Sequence, residues 1–259
     1  AMAGWDCEQM LGGIDGILNL AAASGEDLAT TSDIVTDALT AFGLQAEDAG
    51  HFSDVLAKAS SSANTNVSMM GETFKYVAPV AGALGFSVED CSVAIGLMAN
   101  SGIKAGQAGT ALRAFMSRMA KPTDDVAIAM EELGLSLTNS DGSMKSFNEI
   151  MVDMRSSFAN LSEAEKASYS SALAGQEAMS GLLAIVNASD SDFAKMNDAM
   201  YNCDGTAQEM AETVNDNLKG AWTTFQSATE GVQLALYDNL ENPLKKLTQN
   251  ATTYMNDFN

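Results

Sequence analysis

Residues 64–119 read NTNVSMMGETFKYVAPVAGALGFSVEDCSVAIGLMANSGIKAGQAGTALRAFMSRM, and this stretch decides the fold. Apolar residues recur in it at helical spacing: Val67, Met70, Phe74 and Val77; then Val93, Ala94, Leu97 and Met98; then Leu112, Phe115, Met116 and Met119. Residues three and four apart share one face of a helix, so each set is the buried stripe of an amphipathic helix. Pro79 with Gly82 and Gly85, and then Gly102, Gly106 and Gly109, stand where helices are expected to break or to approach one another closely. The expected arrangement is three helices stacked through tight glycine turns.

The pattern continues upstream. Leu11, Ile14, Ile17, Leu18 and Ala21 predict one helical face, stopping at Ser24-Gly25. A second helix opens at Glu26-Asp27, whose negative charges suit a helix N-terminus, and turns Thr31, Ile34, Val35, Ala38, Leu39 and Phe42 inward before Gly43. Glu47-Asp48 repeats the device ahead of Phe52, Val55, Leu56 and Ala59. Downstream, Asp124-Asp125 opens a short helix closed by Gly134, and residues 135–145 (LSLTNSDGSMK) hold turn chemistry that predicts a minimal hairpin, the one β element expected. Further helices are expected over 147–161, over 161–174 behind the capping pair Ser162/Glu165, over 177–186 and over 190–201.

From about Thr206 the spacing changes. Ala211, Val214, Leu218, Ala221, Phe225, Ala228, Val232 and Ala235 alternate in steps of three and four, a heptad seam that predicts a long helix of coiled-coil character. Val214, Leu218, Phe225 and Val232 are its candidate helix–helix contacts. The reading is therefore all-α: a compact helical stack over 1–203, then a long helix over 204–259.

Composition narrows the function. Hydrophobic residues make up 46% of 259, ample for a core, while aromatics are 7%, which favours closely packed thin helices over a ring-lined pocket. The net charge of −21 opposes binding to nucleic acid or to an anionic membrane surface, both of which require clustered Lys and Arg. Four cations, Lys104, Arg113, Arg118 and Lys121, are expected to neutralise neighbouring carboxylates. No apolar run approaches the roughly 20 residues of a membrane-spanning helix.

Recognisable chemistry is excluded motif by motif. Cys7, Cys91 and Cys203 lack any C-x-x-C spacing, so neither a disulfide framework nor a zinc site is expected. His51 is the only histidine, which rules out a His-rich metal site, an H-E-x-x-H protease or a Ser-His-Asp triad within these residues; a surface or capping role is expected for it. The glycine run from Gly102 lacks the lysine that a phosphate loop places before its Ser or Thr, and Asn139–Gly142 lacks the carboxylates of a calcium loop at the required positions. The sixteen methionines are expected mainly as core filler. No catalytic residue, cofactor or metal is assigned.

The strings GETFKYVAPVAGALGFSVED (71–90) and AIGLMANSGIKAGQAGTALR (94–113) resemble the core region of the tail tape-measure protein family of long-tailed bacteriophages and their prophages. The resemblance extends upstream through residues 1–44 and downstream through AGQEAMSGLLAIV (174–186), covering about residues 1–202. The opening residues lack an initiator Met and already read as helix, so an excised piece of a longer chain is expected. What the resemblance implies is a non-enzymatic virion structural protein, made in the host cytoplasm and located in the lumen of the tail tube, where the length of its extended helical portion sets the tail length. Implied partners are other copies of itself, tube subunits and tail assembly chaperones, without nucleic-acid binding or stable membrane insertion. Two alternatives stand beside it: a membrane-active helical module assisting genome entry, or the non-catalytic part of a protein that carries a peptidoglycan hydrolase elsewhere.

Overall fold

A computed structural model of the chain describes residues 5–217 and 219–229. The chain divides after Ala211 into two units. Helices of the first run in the order α1 (Cys7–Ser24), α2 (Leu28–Phe42), a 3-10 turn (Ala46–Asp48), α3 (Ala49–Ser62), α4 (Val67–Leu84), α5 (Val88–Asn100) and α6 (Ala105–Ala120). Then follow α7 (Asp124–Glu132), α8 (Phe147–Phe158), α9 (Glu163–Ala174), α10 (Met179–Val186), α11 (Asp190–Tyr201) and α12 (Thr206–Asn215), the last of which crosses into the second unit. Among the described residues there is no strand; the expected hairpin is a single antiparallel bridge between Thr138 and Met144.

Local sequence explains the helix ends. Asp6, Ser146 and Ser162 each form a capping box with the residue three further on, satisfying N–H groups that the first turn leaves free. Asp27, Asn66 and Ser87 accept from the third helical N–H of α2, α4 and α5. At the other end Gly43 and Gly85 adopt left-handed φ of 76° and 74°, a conformation only glycine takes without strain.

The widest helix contacts are α4 with α6, α1 with α3, α2 with α4 and α5 with α11. Small residues allow them. A Cβ on Gly82 of α4 would lie 2.6 Å from the carbonyl oxygen of Ala41, and one on Gly109 of α6 would lie 2.7 Å from that of Thr73. Around these close crossings the core closes on aromatic clusters: Phe74 meets Phe42 and Phe52 at 5.7 and 5.6 Å between ring centres, and Phe147 meets Phe86 and Phe115 at 5.2 and 6.2 Å. Met70, Met98, Met116, Met119, Met151, Met154, Met196 and Met200 are buried, as core filler.

The structure corrects the sequence reading at four points. Pro79 does not end α4, which continues to Leu84. The hydrogen bond that Pro79 cannot donate belongs to the carbonyl of Lys75, and both residues are exposed, so water can satisfy that carbonyl. Gly106 and Gly109 lie inside α6 rather than in the turn before it, where Gly109 fulfils the other expectation, a close approach of two helices. On α1 the buried face is Gly13, Ile17 and Leu20, with Leu11 and Leu18 left exposed, because a glycine stripe rather than a leucine stripe faces the neighbouring helix.

The fourth correction concerns the start of the seam; residues 230–259 of the expected long helix lie outside the described residues. Instead of running on, α12 ends at Asn215 and helix resumes over 219–229. Asn217 Oδ1 accepts the N–H groups of Lys219 and Gly220, both at 3.0 Å, so its side chain caps a new helix. The chain turns so tightly here that a Cβ on Gly220 would sit 2.3 Å from the carbonyl oxygen of Asn215.

Candidate functional site

Three elements meet around His51. The residue lies on the first turns of α3, and Asp54 follows one turn later on the same helix. Opposite them stand Glu89 from the first turn of α5 and residues 203–205 of the turn between α11 and α12. His51 Nε2 is 2.6 Å from Glu89 Oε1, and His51 Nδ1 is 2.9 Å from Asp204 Oδ1. Asp54 accepts the N–H groups of Gly205 and Ala207, both at 2.8 Å, and so caps the start of α12 from another helix. Cys203 lies beside them, 1% exposed.

Electrostatics follow from this geometry. Burial of the ring opposes a charge on His51, but its hydrogen bonds to Glu89 and Asp204 and their charges outweigh that and hold it above the ordinary imidazole value. Burial likewise opposes the charge on Glu89, and the His51 hydrogen bond turns the balance, leaving it below the usual carboxylate range. Burial first, and then the charges of Asp204, Asp54 and Glu89, push the Cys203 thiol up to about 11. A thiol raised in this way stays protonated at neutral pH and is a weak nucleophile.

Next to this cluster Asp90, 1% exposed, ties three helices together. Its Oδ2 accepts the N–H of Asn148, a free donor at the start of α8, at 3.1 Å, and its Oδ1 accepts the hydroxyl of Tyr201 at the end of α11. Burial and this bond raise the Tyr201 phenol above its ordinary value.

The expected helix–helix contacts fall as follows. Val214 is half-buried on α12, and Phe225 is 58% exposed, its ring 5.6 Å from that of Trp222, itself 59% exposed. Leu218 and Val232 lie outside the described residues. His51 has the half-exposed position expected of a surface residue, but in a bridge between two carboxylates from distant parts of the chain. Two of the four cations take partners other than carboxylates: Arg113 lies over the Tyr76 ring at 5.7 Å, and Arg118 donates to the carbonyl of Ala172. Asp54, Glu89, Asp90, Tyr201 and Asp204 were not singled out by sequence. Asp90 alone carried a signal, an acid on the apolar side of α5 where the helix is buried almost all round. Among the described residues no helix is long and apolar enough to cross a membrane.

Comparison with known proteins agrees with a structural role. The family model for phage-related minor tail proteins matches residues 1–175. The tape measure protein of Pneumococcus phage Dp-1 is 40% identical over 258 residues, spanning 100% of this chain and 22% of that protein. A probable tape measure protein of Escherichia phage P2 is 31% identical over 258 residues, 98% of this chain and 32% of its own length. The chain thus spans a third or less of these relatives. No solved structure matches it. With more than half of its residues matched, the chain belongs to the phage-related minor tail protein family.

Proposed function

We propose that this chain is the folded module of a tail tape-measure protein, an assembly part that acts by shape and contact within the tail tube. The observation that carries the reading is the 40% identity to a tape measure protein along the whole of the chain. Physical features agree with it. The first unit is a close-packed stack of short helices, so it converts few of its residues into length, and a ruler of about 1.5 Å per residue has to lie in the much longer remainder that the relatives carry. A net charge of −21 repels the phosphates of a genome passing through the same tube. Partners in this reading are other copies, tube subunits and tail assembly chaperones. Phe225, stacked with Trp222 and exposed, together with Val214, Leu218 and Val232, forms a helix–helix contact in the assembled tail.

The test is particle composition. An epitope inserted in the exposed 139–143 turn is expected in purified full particles at a few copies each, protected from antibody, and absent from particles that have ejected their genome. Detection on the outer surface of intact tails, or retention after ejection, overturns the reading.

A further inference from the structure

We infer that His51, Cys203 and Asp204 form a binding site for a single zinc-like divalent transition metal ion. Their donor atoms, an imidazole nitrogen, a thiol sulfur and a carboxylate oxygen, all lie within 4.8 Å of one another. Zinc bonds of about 2.0–2.3 Å at tetrahedral angles put neighbouring donors about 3.3–3.8 Å apart, so the three atoms need to move by about an ångström or less. Nitrogen with sulfur and one carboxylate suits zinc or cobalt, whereas calcium and magnesium require oxygen sets.

Two further features support the assignment. Glu89 Oε1, 2.6 Å from His51 Nε2, is placed to accept the proton of that nitrogen when Nδ1, on the Asp204 side of the ring, holds the metal. His51 Nδ1 lies 2.9 Å from Asp204 Oδ1, so the nitrogen and oxygen donors already stand side by side. The ligand turn is also held in place: Asp54 binds the backbone N–H groups of Gly205 and Ala207, fixing the segment that carries Cys203 and Asp204 against the helix that carries His51. On binding, the thiol proton leaves to solvent, sulfur coordinates as thiolate, and any proton on Nδ1 leaves likewise. Water fills the fourth position, since the Asp204 side chain is 89% exposed and opens the site on that side. An ion held here pins the turn before α12 to α3 independently of the tail assignment.

The experiment is a cobalt titration of the chelator-treated 259-residue chain, followed by optical absorption and then by zinc competition. One equivalent of cobalt is expected to produce visible bands of a tetrahedral site and a near-ultraviolet thiolate-to-metal band, all removed by one equivalent of zinc. Cys203→Ser abolishes the thiolate band, His51→Gln weakens binding at least tenfold, Glu89→Gln weakens it by about 10–100-fold, and Cys7→Ser changes nothing, with helical circular dichroism unchanged in every variant. Absence of these bands from folded wild-type protein, or their persistence in Cys203→Ser, overturns the assignment. So does their loss in Cys7→Ser, which would place the metal at the exposed thiol.

Discussion

Two glycines four residues apart on α1 offer a controlled test of the close packing that defines the body. A Cβ on Gly12 meets nothing nearer than Glu47 Cγ at 3.9 Å, an ordinary contact. A Cβ on Gly16 would lie 2.7 Å from Gly50 Cα, 2.9 Å from Gly50 N and 3.0 Å from the Ala49 carbonyl oxygen, all backbone atoms of α3 that no rotamer change can move. Both positions are in the helix interior, so each Gly→Ala change gains about 1 kcal/mol of helix propensity. At Gly12 that gain stands alone. At Gly16 the two helices must part by about 1 Å to restore normal contact, and overpacking of this kind costs about 1–3 kcal/mol. It also unloads Ile17 and Leu20, buried on the same face. Gly12→Ala is therefore expected to raise Tm by about 2–4 °C, and Gly16→Ala to remove that gain and lower Tm by up to about 8 °C. Thermal melts followed by circular dichroism measure both. Equal stabilisation by the two substitutions would refute the claim that α1 and α3 touch backbone to backbone.

Three other outcomes follow from particular contacts. Arg155, whose side chain is 10% exposed, donates to the carbonyls of Ile185 and Ala188 at 2.8 and 2.7 Å and pairs with Asp190 at 2.7 Å, closing the end of α10 and the start of α11. Arg155→Ala leaves those carbonyls bare and should cost about 2–4 kcal/mol by denaturant titration, with Arg155→Lys recovering only part because an ammonium cannot reproduce the fork. Ser92 is fully buried, and its hydroxyl has no hydrogen-bond partner among the described residues, so Ser92→Ala should raise stability by about 1 kcal/mol; an equal loss would reveal an unseen partner. The Thr30 hydroxyl and N–H hold Asp27 below its ordinary value of 3.8, so its stabilisation is present above that pH and disappears as pH falls through the lower folded value. Asn keeps the cap hydrogen bond but lacks the charge and does not titrate, so the Tm gap between wild type and Asp27→Asn should be open at neutral pH and closed at the acid end; a constant gap would exclude the linkage.

Local signals carried most of the fold. The Ser162/Glu165 pair announced α9, and the Asp190–Tyr201 helix follows from its own spacing, because caps and apolar periods act within a few residues. Misreadings occurred where glycine replaced an apolar residue as the contact, as on α1, and where one side chain overrode a period, as Asn217 does in the seam. The His51 cluster was not legible. Asp204 lies 153 residues from His51, and nothing near either residue in the chain announces the other. Asp54 was equally hidden, since an acid on a helix that caps a different helix looks like any solvated charge until the fold is closed.

Tail length across a deletion series measured by electron microscopy tests the account most directly. In the proposed reading, deletions outside this module in a full-length tape-measure protein that carries it should shorten the tail by about 1.5 Å per residue removed, while deletions of whole helices within residues 1–211 should abolish tails rather than shorten them. Proportional shortening from deletions inside that body, or normal tails without it, would contradict the claim that it serves as a folded assembly module.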